Sequence, residues 1–348
     1  GSTYGLTDPL YHVLLKKLGL GSAVAPFRER RGHSVNYYDD RILEALDIDV
    51  RHTWLGFTDL AGPPSGGGMD AWGIEWVQEG LYLSPSKSPL TDLTADGLDD
   101  YPWPDVEGLI RREELGARAR YLKERTDYAV VGRAVDSYGP FERASQLRGF
   151  ENLMVDLAIG DEFTNVLIGK VTDVLCRLIE IFMDTAGPYL DIFELPGDDY
   201  AGQNPIISPR MFDRFFAPAW QRMISLIKEA APDCKIMFHS DGRMETFLER
   251  LIDLGVDVFH CLEPLPNVDM HVIKQTYGDR LCFLGAIDIK EALQGDGAHV
   301  TAEVQERIQA LAPGGGYILA PANHLQPDVP PENVVTLYEA ARNLGKYS

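Results

Sequence analysis

The segment Lys235-Ile236-Met237-Phe238-His239-Ser240-Asp241-Gly242 decides the fold. A short run of apolar side chains stops abruptly in an imidazole, a hydroxyl, a carboxylate and a glycine. It is too short for a helix and does not alternate polar with apolar, which is how a strand buried on both faces reads. The phrase recurs along the chain at Ala129–Val135, Asp191–Leu195, Asp257–Leu262, Leu281–Ile287 and Gly316–Ala320, with Val50–Phe57 ahead of them. Seven strands are legible, and an eighth is not. The segments between them carry helical signals. Ser208-Pro209 is an N-cap followed by proline at the first helical position, and Phe212, Phe215, Phe216, Ala219, Met223, Leu226 and Ile227 then recur at helical spacing. Asp328-Val329-Pro330-Pro331-Glu332 opens the last helix in a similar way.

Alternating strands and helices over this length define an α/β protein, either a doubly wound sheet or a (β/α)8 barrel. No Gly-rich phosphate fingerprint follows a strand; Gly66-Gly67-Gly68 precedes no helix and is expected to be a loop. Polar residues stand instead at the C-terminal ends of many strands, which selects the (β/α)8 TIM-type barrel. One unit is expected over residues 1–348, with an N-terminal helical extension over 1–49. Residues 59–105 break the rhythm with Pro63-Pro64, the glycine triplet, a hairpin around Glu75–Leu83 and Tyr101-Pro102-Trp103-Pro104. They are expected to form an excursion over one barrel mouth.

Across 348 residues, 32 Lys and Arg stand against 53 Asp and Glu, a net charge of −21. Such an excess repels phosphate backbones and anionic lipid, which argues against nucleic acid or a membrane surface as partner. No apolar run reaches the roughly 18 residues a membrane span needs. Four cysteines without paired spacing (Cys176, Cys234, Cys261, Cys282) point to a reducing, cytoplasmic setting.

The strand ends carry the chemistry. In a barrel, His239 and Asp241, Glu263, Asp288 and His324 come from four neighbouring ends of one rim. Two imidazoles with several carboxylates make a site for Zn2+ or a similar divalent ion, with His239, Glu263 and His324 as the expected ligands. The same groups could equally bond one another, or act without metal as proton donors or oxyanion partners. Asp198-Asp199-Tyr200 could bind a substrate hydroxyl or serve as acid and base, and could equally be an acidic turn capping a helix. Tyr138 and Phe141 could wall a planar substrate or simply belong to the core; Trp54, Phe57 and Trp72 leave the same choice. Cys261 reads as a packing residue, or, since it neighbours the site, as a minor ligand.

These motifs occur together in a known family. From about Tyr37 to the C-terminus the chain resembles the uroporphyrinogen decarboxylase superfamily. The carriers are the turn Phe238-His239-Ser240-Asp241-Gly242, the pair Asp198-Asp199 with Ile207-Ser208-Pro209, the phrase Tyr101-Pro102-Trp103-Pro104-Asp105, and the ending Asn323-His324-Leu325-Gln326-Pro327 through Pro330-Pro331-Glu332-Asn333. The resemblance implies a (β/α)8 barrel. Tetrapyrrole decarboxylases of the superfamily hold substrate carboxylates on an arginine-rich N-terminal loop. Here Arg28, Arg30, Arg31 and Arg41 form no such motif, and Gln146 falls where those enzymes carry a tyrosine.

The corrinoid-dependent methyltransferases of the same superfamily are the closer match. Their thiol-methylating members hold zinc with His-x-Cys and a later cysteine; here His239-Ser240-Asp241 puts a carboxylate in the thiolate's place, and the later position falls near Ala322. A harder imidazole–carboxylate site leaves the metal a stronger Lewis acid, suited to an oxygen. The resemblance therefore implies an ether-cleaving methyltransferase that passes a methyl group from a methoxylated aromatic or related small donor to Co(I). Asp199, Asp241 and Tyr138 would be catalytic, and Trp54, Phe57, Phe141, Gln146 and Asp198 would contact substrate. No cobalamin-binding motif is present, so the corrinoid would come from a separate partner protein. A homodimer is the default for such a fold. The alternative is a metal-independent decarboxylase that grips a carboxylate with Arg133 or Arg243.

Overall fold

The computed structural model describes residues 5–27, 34–54, 66–107, 111–133 and 136–346. In chain order its principal elements are α1 (Asp8–Lys17), α2 (Asp40–Ala45), β1 (Val50–Trp54), β2 (Gly67–Met69), β3 (Glu75–Glu79), β4 (Tyr82–Lys87), α3 (Arg112–Arg125), β5 (Ala129–Arg133), α4 (Pro140–Arg148), α5 (Phe150–Ile159) and α6 (Glu162–Ala186). They continue with β6 (Ile192–Glu194), α7 (Pro209–Met211), α8 (Ala217–Ala230), β7 (Lys235–His239), α9 (Glu245–Leu254), β8 (Val258–Cys261), α10 (Met270–Tyr277), β9 (Cys282–Ile287), α11 (Gly297–Leu311), β10 (Tyr317–Pro321) and α12 (Pro331–Leu344). All seven strands read from the sequence are present, and Ser208 caps its helix by accepting from Met211 N at 3.2 Å.

The seven form one parallel sheet in the order β1-β5-β6-β7-β8-β9-β10. Successive side chains point to opposite faces. On one face Met237, Val258, Leu284 and Ala320 meet with Ile192, Cys282 and Ile318. These residues come from five strands, so the sheet curls until its inner face closes on itself as a barrel lumen. On the other face Val130, Phe193, Ile236, Phe238, Phe259 and Phe283 join Leu175, Phe182, Trp220 and Met223 of α6 and α8 in the main core. Each buried phenylalanine stabilises that layer by about 2–3 kcal/mol.

Among the described residues no eighth strand stands between β10 and β1. Two irregular segments take its place. Leu6 pairs in parallel with Leu325, with Thr7 N donating to Leu325 O at 3.1 Å and Leu325 N to Gly5 O at 2.9 Å. Asp8 N then reaches Ser34 O at 2.9 Å, and His52 N of β1 donates to the Tyr38 hydroxyl at 2.7 Å. The helix that follows, α1, buries Leu10, Tyr11 and Leu14 in a second core with Leu319, Leu325 and Leu337. Among the described residues no helix is long and apolar enough to cross a membrane.

The excursion is a three-stranded antiparallel sheet, β2-β3-β4. The hairpin expected around Glu75–Leu83 is β3 and β4. The glycine triplet, expected as a loop, instead supplies β2: a Cβ on Gly67 would stand 2.6 Å from the Trp76 carbonyl, so only glycine brings this edge close enough to pair. The sheet reaches the far side of the mouth, where the Tyr82 hydroxyl donates to Gln326 at 2.8 Å. Its base is held by buried Asp70, which accepts from Trp72 N, Ile74 N and Trp76 Nε1, each at 2.9 Å. Arg143, also buried, lies 3.6 Å from Asp70 and bonds Asp136, which takes Trp72 Nε1 at 3.0 Å.

Replacing Asp70 with alanine removes one partner of a buried ion pair and orphans three donors. Asp70→Ala is expected to cost about 3 kcal/mol, read as a lower urea midpoint at unchanged slope.

Candidate metal centre

His239 ends β7 with the same sense as Met237, and His260, the penultimate residue of β8, has the same sense as Val258, so both imidazoles enter the lumen from adjacent strands. Their Nδ1 atoms lie 2.7 Å apart, and His260 has no exposed surface. Gly197, on the loop after β6, allows this arrangement: a Cβ there would meet His239 Cδ2 at 2.7 Å. The lumen-facing layer continues with Arg133 and Glu194, 3.4 Å apart. One buried Glu194 oxygen, Oε2, has no hydrogen-bond donor.

Beyond β7 the chain turns through Ser240 and brings Asp241 over the imidazole. Asp241 Oδ1 lies 3.8 Å from His239 Nε2. The Cys261 thiol donates to the same oxygen at 3.1 Å, and Asn323 Nδ2 donates to both carboxylate oxygens at 3.0 and 2.8 Å. Asp199 accepts from Asp241 N at 2.6 Å and so fixes the turn. Ligand atoms of His239, Asp241 and Cys261 all lie within 4.8 Å of one another.

The electrostatics are those of a site that is short of positive charge. Burial raises the carboxyls of Asp199 and Asp241, and Asp241 and Glu263 respectively raise them further. Glu142 is pushed well up by burial and by Asp199, Asp198 and Asp241. Burial and then Asp241 raise the Cys261 thiol. Burial lowers His239 to about 4, with Asp199 opposing and Arg133 assisting. A divalent cation at this point would reverse each of these shifts except that of histidine, which it needs neutral. Zinc bonds of about 2.0–2.3 Å place tetrahedral ligands roughly 3.3–3.8 Å from each other. The Cys261–Asp241 and His239–Asp241 separations, 3.1 and 3.8 Å, are close to that spacing, and small side-chain shifts would let the three hold such an ion with one position left for a substrate oxygen or water.

The residues singled out in the sequence fall into three groups. His239 and Asp241 meet at the centre with Asp199 behind them. Glu263 and His324 stand apart from the three-ligand group. Glu263 accepts from Lys290 Nζ at 2.7 Å and from Gly242 N at 3.3 Å, while His324 lies against Gly5, whose added Cβ would meet its ring at 2.9 Å. Asp288 caps the turn after β9 by accepting from Lys290 N, Glu291 N and Ala292 N. Asp198 is fully buried and accepts from Phe141 N and Glu142 N at the start of α4 and from the Tyr200 hydroxyl. Phe141 is buried and stacks on Tyr200. Gln146 accepts from Arg143 at 2.9 Å, and Tyr138 stacks on Trp76 of the excursion sheet. Trp54, at the end of β1, packs on Phe27 and Tyr38. Phe57 and the arginines at 28, 30 and 31 lie outside the described residues.

Asn323 and His260 carry no site role in the sequence reading, and Cys261, there a packing residue or a minor ligand, stands in the central group. The signal for all three was their position at strand ends of the same rim.

A parallel barrel with a polar cluster at the C-terminal mouth defines the class of protein. The uroporphyrinogen decarboxylase family model matches residues 86–344, and the chain belongs to that family. Among curated relatives it is 25% identical over 295 residues to uroporphyrinogen decarboxylase of Microcystis aeruginosa, covering 82% of this chain and 77% of the relative. With the Crocosphaera subtropica enzyme of that name it shares 25% identity over 53% of this chain, and there it spans only 48% of the relative's length. A solved structure titled as a methyltransferase from Methanosarcina mazei superposes with a TM-score of 0.65 at 17% identity, covering 99% of this chain and 95% of that one. The fold is thus shared from end to end.

The raised Asp198 makes a pH prediction. Its carboxyl is pushed up to about 7 by burial, against the pull of its three donors. The native state then binds more protons than the unfolded chain between about pH 4 and 7, so this group's contribution to stability declines as pH rises through that window. The stability of wild type relative to Asp198→Asn is expected to fall with pH from 4 to 7, by about 1 kcal/mol per pH unit. Urea titrations of both proteins at several pH values measure it.

Proposed function

We propose that the protein is a methyltransferase that takes a methyl group from the ether oxygen of a small methoxylated, aromatic-type compound and delivers it to the reduced corrinoid of a separate partner protein. The observation that carries the reading is the convergence of His239, Asp241 and Cys261 at one point of the mouth. The Methanosarcina mazei methyltransferase, alike over the whole length, supports the same class of chemistry.

Cleaving an aryl ether by methyl transfer leaves both electrons of the C–O bond on oxygen, so the barrier falls if that charge is neutralised as it forms. A divalent ion held by His239 Nε2, an Asp241 oxygen and Cys261 Sγ would supply that Lewis acidity. The rest is done by the chain. Asn323 holds Asp241 in place through both oxygens, and Asp199 holds the Asp241 backbone. Glu142, whose carboxyl is pushed well up by burial and by Asp199, Asp198 and Asp241, would return a proton to the departing oxygen. The excursion sheet with Trp76 and Tyr138 forms a wall of the mouth that keeps the reacting groups in line. The partner would dock over that mouth, in the cytoplasm, and a homodimer would leave the mouth free.

A second reading is a metal-free carboxy-lyase. The names of the curated relatives favour it, as does the Arg133 guanidinium in the lumen beside Glu194, where a substrate carboxylate could be gripped.

Zinc uptake by apo-protein separates the two. About one zinc per chain is expected for wild type, falling at least tenfold in affinity for His239→Ala and Cys261→Ser and unchanged for Glu263→Gln and His324→Ala. Zinc-loaded protein should then convert free cob(I)alamin to methylcobalamin with 2-methoxyphenol, followed by absorbance. Metal-free protein that releases carbon dioxide from an added acid would decide for the lyase. Loss of zinc in His324→Ala with retention in Cys261→Ser would move the ligand set to the other side of the rim.

A further inference from the structure

His260 takes part in none of the chemistry assigned above, yet it is fully buried in the lumen directly beneath the candidate ligands. Two Nδ1 atoms 2.7 Å apart, in rings tilted by 31°, must share one proton. With none, two lone pairs would face each other; with two, two N–H groups would collide. The rings therefore hold complementary tautomers, and only two arrangements exist. If the proton sits on His239, its Nε2 carries a lone pair aimed at Asp241 and Cys261. If it sits on His260, His239 Nε2 is an N–H and cannot bind a cation.

The His239 ring is held in this arrangement. His239 is wedged between Gly197 and His260. The backbones of the two strand ends are also joined, Ser240 N donating to His260 O at 2.9 Å, while Asp198 N donates to His239 O at 3.1 Å. We infer that His260 is the positioning residue of the metal centre: it accepts the Nδ1 proton of His239 and thereby leaves Nε2 as the metal-binding nitrogen. The inference rests on the metal reading given above and deepens it.

The choice of an imidazole has a physical reason. Metal-bound histidines usually donate their second nitrogen to a carboxylate, a carbonyl or water. A carboxylate in this position would add a further negative charge to a pocket that already holds Asp199, Asp241 and Glu142. A neutral acceptor fixes the tautomer without that repulsion. It also draws less electron density towards the ligand, which keeps a bound cation the stronger Lewis acid.

The test uses the full chain labelled with 15N at its eight histidines, with and without added Zn2+. Long-range proton–nitrogen correlation in the zinc form should show His239 protonated at Nδ1 and metal-bound at Nε2. Competition with a chromophoric chelator should show zinc held 10–100-fold more weakly by His260→Leu, while His260→Gln, which keeps an acceptor, stays close to wild type. A zinc-bound Nδ1 on His239, or a folded His260→Leu that holds zinc as tightly as wild type, overturns the inference and leaves the metal reading standing. Failure of the wild type to take up zinc overturns both. If His260→Leu does not fold, the tautomer measured in wild type decides alone.

Discussion

Everything at the mouth of this barrel depends on the alternation of side chains in parallel strands that all stop at the same height. Because His239 pairs in register with His260, and both share the sense of the lumen residues beneath them, two imidazoles are driven into a space a few ångströms wide. Arg133 and Glu194 enter the same layer from the next two strands. The apolar lumen of Met237, Val258 and Leu284 below them excludes water, so these polar groups must satisfy one another. The hydrogen bond between the imidazoles is one outcome of that confinement.

The acidic excess of the chain takes on a local meaning at this site. Asp199 and Asp241 raise the Glu142 carboxyl, and Asp241 raises that of Asp199. Such crowding opposes folding unless something positive relieves it, and Arg133 and Lys290 are paired with other carboxylates, Glu194 and Glu263. Sites that hold a metal, like other functional sites, commonly carry this kind of stored electrostatic tension. The excursion sheet adds rigidity: Asp70, Arg143, Asp136 and Trp72 tie it to the start of α4, the helix whose amides Asp198 caps.

The sequence made the strands plain because each is a short apolar run closed by a polar end, and the seven are where they were expected. The missing eighth was legible only as a gap. Its place is taken by two irregular segments whose bonds run to Leu325 and through Tyr38, and no periodicity announces such a patch. The glycine triplet precedes no helix and so reads as a loop, whereas Gly67 serves a close approach to the Trp76 carbonyl that no pattern in the sequence marks. At the site, the rim was readable but the meeting points were not. Past the last paired residue of a strand the alternation no longer governs direction, so Glu263 swings out to Lys290, whereas Cys261, the last paired residue of β8, reaches Asp241. Asn323 and His324 are adjacent in the chain, and only the first reaches the cluster.

The substitute for the eighth strand has a mechanical consequence. Among the described residues, six of the joints around the wall are continuous ladders, whereas the join between β10 and β1 is made by scattered bonds and one tyrosine hydroxyl. The barrel is therefore a split ring, and the compliance of a split ring gathers at its split. Widening of the wall to admit a bulky guest is borne there, on the side of Trp54 and Gly5, and amide hydrogens along that line exchange sooner than those of β7 and β8. The imidazoles and their neighbours lie on the stiff side, where the reacting atoms keep their spacing while the opposite side gives.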